Sequence, residues 1–153
     1  MVFIMARMIG YMLTWTMYGT WLQGDKRGYV KDSKVLGEDR RLYEVNQRRL
    51  KGRARRLDKK DKIVVRDAIL SEAKRLGQEI LAIAVCSNHV HVVVNCIDEA
   101  LEVAVARYKK AGRVALREKG FEGRVWTRGY DKRFCFDEVS LEEWIRYVQG
   151  HDS

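Results

Sequence analysis

Residues 79–96, EILAIAVCSNHVHVVVNC, constrain the fold more than any other stretch of the chain. Two apolar runs flank Ser87 and Asn88, a pair suited to a turn, so the segment predicts a hairpin with strands at 79–86 and 89–96. The first run is apolar and bounded by turn residues, which predicts a central strand. The second alternates. Side chains alternate across a sheet, so His89 and His91 share one face, while Val90, Val92, Val94 and Cys96 share the other.

The flanking segments supply the rest of a sheet and its cover. Residues 9–18 (IGYMLTWTMY) are rich in aromatic residues and threonine and predict a buried first strand. Gly19, Gly24, Gly28 and Gly37 lie scattered among charges, so 19–37 predicts loop. A short helix is expected over 38–50, with Leu42, Val45 and Leu50 on one side. Asp58 is a candidate N-cap for a helix over 59–76, where Val65, Ile69, Ala73 and Leu76 fall at helical spacing and Gly77 is a stop. Asp98 is expected to cap a helix over 99–119 that ends at Gly120. Residues 125–136 predict one or two short strands, and Ser140 with Glu143 predicts the capping box of a last helix at 141–151. This order implies an α+β fold, with a ferredoxin-like antiparallel sheet, a central two-histidine strand and a C-terminal tyrosine-bearing helix. No repeat or long linker divides the chain, so 1–153 is expected to be one domain, with 31–60 a basic insert within it.

Composition narrows the partners. Apolar residues make up 46% of the chain, which excludes a wholly disordered protein. Thirty lysines and arginines against 21 acids leave a net charge of +9, which fits a polyanionic partner, most simply nucleic acid. The three cysteines, Cys86, Cys96 and Cys135, lack paired-motif spacing, which points to a reducing cytosol and a cytoplasmic location. No apolar run approaches the ~18 residues of a membrane span, and no small-residue cleavage site follows the apolar N-terminus, so neither membrane anchoring nor a signal peptide is expected.

Two imidazoles on an otherwise apolar strand need polar partners, and a divalent ion is one such partner. A hydrogen-bonded histidine pair is the other. The third histidine, His151, lies four residues after Tyr147 on the last helix, and that spacing puts both on one helical face. If the helix packs over the histidine face, the phenol lies beside a bound metal. Otherwise Tyr147 is half-buried core and His151 a helix end.

His89-Val90-His91, preceded by Asn88 and followed by valines, resembles the histidine–hydrophobic–histidine motif of the single-tyrosine transposases. TWTMYGTWLQGDKRGYV (14–30), VWTRGYDKRF (125–134) and WIRYVQGH (144–151) resemble further blocks of that family in the same order. The resemblance implies that His89 and His91 are metal ligands and that Tyr147 is the nucleophile. The position four residues after the tyrosine usually holds glutamine or asparagine; here it is His151, which implies a third ligand favouring Mn²⁺ or Zn²⁺ over Mg²⁺. The implied reaction is cleavage and rejoining of single-stranded DNA through a 5′-phosphotyrosine, guided by DNA hairpins and dependent on Mg²⁺ or Mn²⁺. A free phenol has a pKa of ~10 and is a weak nucleophile, so the metal supplies activation by polarising the phosphate.

DNA-binding candidates are Arg48, Arg49, Arg53, Arg55 and Arg56 in the basic run, and Trp126, Arg128, Lys132 and Arg133 in the segment before the last helix. The plain alternatives are a solvated charged helix for the run and core packing for the tryptophan. The family resemblance allows a homodimer or a monomer. A catalytically inactive, domesticated hairpin-binding protein is the alternative function, and a nicking enzyme of replication or conjugation fits the short chain less well.

Overall fold

The computed structural model describes residues 7–20, 29–31, 34–36 and 56–151. Its elements in chain order are β1 (Gly10–Thr16), β2 (Tyr29–Lys31), β3 (Lys34–Leu36), α1 (Lys59–Arg75), β4 (Ile80–Val85), β5 (His89–Asn95), α2 (Leu101–Glu118), β6 (Asp131–Cys135) and α3 (Glu138–Gly150).

The expected hairpin is β4–β5, and it pairs onward to β1 and β6 in the order β4-β5-β1-β6, every neighbour antiparallel. Two strand–helix–strand units interleaved this way give the ferredoxin-like sheet expected from the sequence. The period-2 pattern sorts the side chains. Leu13, Trp15, Val85, Val90, Val92 and Val94 bury against Val65 and Ile69 of α1 and Val105, Tyr108 and Leu116 of α2. Each such large apolar side chain removed from water contributes roughly 1.5–3 kcal/mol before chain entropy is charged against it. Met12, Ala82, Ala84, Val93 and Cys135 face the other way and form a smaller cluster with Leu141 and Val148 of α3. Among the described residues the sheet therefore carries α1 and α2 on one face and α3 on the other.

The helix ends show where local chemistry overrode the expected boundaries. At α1 the expected cap is present: Asp58 Oδ1 accepts from the Asp61 amide at 2.8 Å, and Asp61 Oδ2 accepts from the Asp58 amide at 3.1 Å. The cap expected from Asp98 is not formed, because α2 begins after Ala100, with no side-chain cap. Glu99 is engaged instead by Gln78 Nε2 at 2.7 Å and by Arg107 at 3.2 Å, which draws it out of the helix. The Ser140–Glu143 box is also replaced. Asp137 caps α3, accepting from the Ser140 amide at 2.8 Å and the Ser140 hydroxyl at 2.9 Å, so the helix starts earlier than expected.

The expected loop over 19–37 contains the antiparallel pair β2–β3, with Val30 opposite Val35. Strands of three residues are too short for periodicity to reveal. The helix expected over 38–50 and most of the basic insert lie outside the described residues.

One glycine sets how closely α3 sits on the sheet. A Cβ at Gly10 would stand 3.0 Å from the Val94 carbonyl oxygen and 3.1 Å from Leu141 Cδ1. A methyl there would be a few tenths of an ångström too close to both, so glycine suits the close approach of Leu141 to β1.

Candidate active site

Because Val90 and Val92 point into the larger core, His89 and His91 must point to the α3 face. Leu141 and Val148 seat α3 on that face, and the helical repeat then places Tyr147 and His151 above the strand. The buried Cys86 thiol donates to the His151 backbone carbonyl at 3.2 Å and ties the helix end to the sheet.

The three histidines come together. Their ligand atoms all lie within 4.8 Å of one another, and no other such group forms among the described residues. Ring centroids are 4.7 Å apart for His89 and His91, 5.2 Å for His91 and His151, and 5.9 Å for His89 and His151. Two nitrogens bound to one ion at ~2.1 Å each can be at most about 4.2 Å apart, so small ring movements suffice to close the set. Asn88 Oδ1 stands 2.7 Å from His89 Nδ1, and Thr14 Oγ1 stands 2.8 Å from His91 Nδ1. Burial, followed by the neighbouring His89, His151 and Arg133, pushes His91 down to about 4. Burial and then His151 also lower His89. Both rings are therefore neutral near pH 7 and keep a lone pair for a cation. A half-buried cluster of three imidazoles suits a divalent transition metal better than it suits Mg²⁺.

The Tyr147 ring lies 4.6 Å from His151 and 5.9 Å from His91, yet the residue is 51% exposed. It borders a cleft of about 430 Å³ shared with Met12, Thr14, His91, Arg133 and Trp144. Arg133 faces this cleft because it pairs with Met12, one residue away from the core-facing Leu13. Its partner Asp131 is 3.8 Å away and both are largely exposed, so the guanidinium is available to an anion.

Two other tyrosines that the sequence offers as nucleophiles, Tyr108 and Tyr130, lie elsewhere. Tyr108 is fully buried, donates to Gln78 Oε1, and is pushed up to about 12 by burial and then by Glu99 and Glu72. Tyr130 packs partly against the larger core, with its pKa raised by burial and then Glu102.

The sequence-derived DNA contacts divide. Arg133 lines the cleft. Lys132 points to the opposite sheet face, with its ammonium 6.0 Å from the Phe134 ring centre. Arg128 is exposed and borders a second groove of about 660 Å³ with Lys110, Arg113 and Arg117 of α2. Arg56 is exposed, and Arg48, Arg49, Arg53 and Arg55 lie outside the described residues. Trp126 corrects an expectation. It is 6% exposed, donates its indole N–H to the Lys109 carbonyl at 2.8 Å and meets Trp15 edge-on, so it is core rather than a platform for a base. Sequence reasoning missed Thr14 as a partner of His91; its alternation with Leu13 and Trp15 in β1 was the available signal. No helix among the described residues is long and apolar enough to cross a membrane.

The family model described as Transposase IS200 like matches residues 48–151. A REP-associated tyrosine transposase, solved bound to a REP hairpin, superposes with a TM-score of 0.52 at 12% identity, covering 97% of this chain and 70% of that one. A provisionally assigned transposase from Deinococcus radiodurans R1 gives a TM-score of 0.47 at 14% identity, over 96% of this chain and 93% of that one. A search of curated protein sequences returned no match.

Proposed function

The chain belongs to the IS200-like transposase family, and on that premise we propose that it cleaves and rejoins single-stranded DNA through a phosphotyrosine on Tyr147. The observation that carries this reading is the position of the Tyr147 phenol. It is half exposed at the cleft mouth, one helical turn from His151 and beside His91. Of the three tyrosines weighed as nucleophiles, it is the one held against a cluster able to bind a cation.

His89, His91 and His151 hold the divalent ion in this reading, with Mn²⁺ preferred to Mg²⁺ because all three donors are imidazoles. When bound, the ion polarises the scissile phosphate and offsets its growing charge. The chain's own residues do the rest. Arg133 neutralises a non-bridging phosphate oxygen in the cleft, and α3 aims the Tyr147 oxygen at phosphorus. The Tyr147 O–P bond forms as the P–O3′ bond breaks. The phenolic proton is lost to solvent, and the leaving 3′ oxygen ends as a hydroxyl. The number of phosphodiester links is unchanged, so another 3′-hydroxyl can reverse the step and rejoin strands without an energy source.

The REP-associated relative was solved with a hairpin, and this chain offers a second basic groove at Arg128, Lys110, Arg113 and Arg117 that fits the phosphates of a paired stem. Arg56 is exposed, and the run before it in the sequence is rich in arginine. The second reading, a hairpin binder without turnover, is favoured by one feature, the histidine at 151.

The test is a denaturing gel of labelled single-stranded DNA carrying a hairpin, incubated with the protein and Mn²⁺ or Mg²⁺. A covalent adduct is expected from the unmodified chain and none from Tyr147→Phe, with binding retained. An adduct that persists in Tyr147→Phe refutes the assignment. Hairpin binding without any adduct, with either metal, supports the second reading.

A further inference from the structure

A histidine ligand must present the nitrogen that carries a lone pair, and in a neutral ring only one nitrogen does. What the other nitrogen touches decides which one it is. Resting on the reading of the three histidines as ligands, we propose that Asn88 and Thr14 are positioning residues that hold His89 and His91 in the tautomer offering Nε2 to the ion.

At His89 the partner is the Asn88 side-chain oxygen, 2.7 Å from Nδ1. An amide oxygen only accepts, so Nδ1 carries the hydrogen and Nε2 the lone pair. At His91 the partner is the Thr14 hydroxyl, 2.8 Å from Nδ1. A hydroxyl can donate as well as accept; in the proposed arrangement it accepts from Nδ1–H, which leaves Nε2 free in the same way.

Both partners sit on fixed backbone. Thr14 lies directly opposite His91 in the β1–β5 ladder, and its neighbours Leu13 and Trp15 are buried on the other face. Its hydroxyl is thus placed by strand register rather than by a loop. Asn88 occupies the β4–β5 turn, and its carbonyl accepts from the Met17 amide at 2.8 Å, which ties the turn to the end of β1. The two rings touch edge to face, so a partner that stops one from turning also limits the other. Without these acceptors each ring would sample two tautomers and a wider range of orientations. Removing such a partner from a metal-ligating histidine weakens metal binding by about ten- to a hundredfold.

Thr14 also lines the cleft beside Tyr147, so it has a rival role as a contact to substrate phosphate. Metal binding measured without DNA separates the two roles. Co²⁺ alone is titrated into the full chain and followed by its visible absorption, which reports nitrogen ligation. Thr14→Val and Asn88→Ala are expected to weaken Co²⁺ binding by about ten- to a hundredfold. Thr14→Ser and Asn88→Asp, which keep an accepting oxygen, are expected to restore it. Long-range proton–nitrogen NMR of the metal-free wild-type chain should show hydrogen on Nδ1 of both rings, a readout that needs no variant to fold. Wild-type affinity in Thr14→Val and Asn88→Ala, or hydrogen on Nε2 in the wild type, overturns the proposal while leaving the ligand reading standing. A wild-type chain that takes up no Co²⁺, like His91→Ala, overturns both.

Discussion

Acid should weaken the metal-free fold through His91 in particular. Burial, followed by the neighbouring His89, His151 and Arg133, pushes this ring down to about 4, against an ordinary value of about 6.5 in an unfolded chain. Between those values the unfolded chain holds a proton that the native ring refuses. The native state's advantage is therefore complete above about pH 6.5 and is lost as pH falls toward 4, at about 1.4 kcal/mol per pH unit for one proton. Taken at face value the window spans about 3 kcal/mol; the ring is only partly buried, and solvent screening reduces this to roughly 1–2 kcal/mol. His91→Leu removes the proton site while keeping a side chain that can pack beside Val93. The assay is urea unfolding in EDTA at about pH 7 and about pH 4.5, for wild type and variant. Carboxylates titrate in both proteins and cancel in the comparison. The wild type should lose roughly 1–2 kcal/mol more than the variant on acidification. Equal losses would mean that the ring titrates as it does in water, and the account of His91 as a neutral, poorly solvated ligand would fail.

Other outcomes follow from the same geometry. Tyr147 stands beside histidines of its own chain, so mixing His91→Ala with Tyr147→Phe should yield no adduct; adduct formation in the mixture would mean that the tyrosine acts on a partner's histidines. Asp137→Ala should lower the melting temperature near neutral pH and Asp137→Asn should largely restore it. Hydrogen bonds from Ser140 hold this carboxyl below its usual range, so the cap's contribution is present at neutral pH and is lost as pH falls through that lowered value. Affinity for hairpin DNA should fall steeply with salt, and replacing Arg113, Arg117 and Arg128 with alanine should flatten the dependence by about 0.7–0.9 log units per log salt for each phosphate no longer neutralised. An unchanged slope would remove the second groove from the DNA path.

The parts of this protein that could be read from its sequence are those in which one pattern dominates. β5 alternates so strictly that the face of His89 and His91 followed from counting, and Asp58 with Gly77 bracketed α1. The approach of His151 to that face followed from its spacing to Tyr147 once the helix was assumed to dock. The misjudged parts are those in which a tertiary partner competes with a local signal. Asp98 looks like a cap, but Gln78 and Arg107 hold Glu99 out of the helix, and neither partner is near it in sequence. Ser140 looks like a cap as well, yet Asp137 takes its amide and its hydroxyl. Trp126 looks like an exposed platform in a basic stretch until its bond to the Lys109 carbonyl and its packing against Trp15 are seen. The alternation in β1 gives the face of Thr14, but its place opposite His91 depends on strand pairing across a long sequence separation.

Gly10 touches neither a histidine nor Tyr147, yet it lies in close contact with Leu141 of the helix that carries Tyr147 and His151. A methyl group there would stand a few tenths of an ångström too close to the Val94 carbonyl and Leu141 Cδ1, so either the Leu141 side chain turns or α3 lifts slightly from β1. Tyr147 and His151 ride on that helix, so a lift of α3 would shift both together relative to the two histidines fixed in the sheet. Where α3 lifts, a map of mutational tolerance for strand-transfer activity would score this position as sensitive. A parallel map for folding would score it mildly, since the larger core on the opposite face would stay intact. Disagreement between the two maps at a residue with no functional group would be the mark of a backbone spacer that sets the reach of an active site.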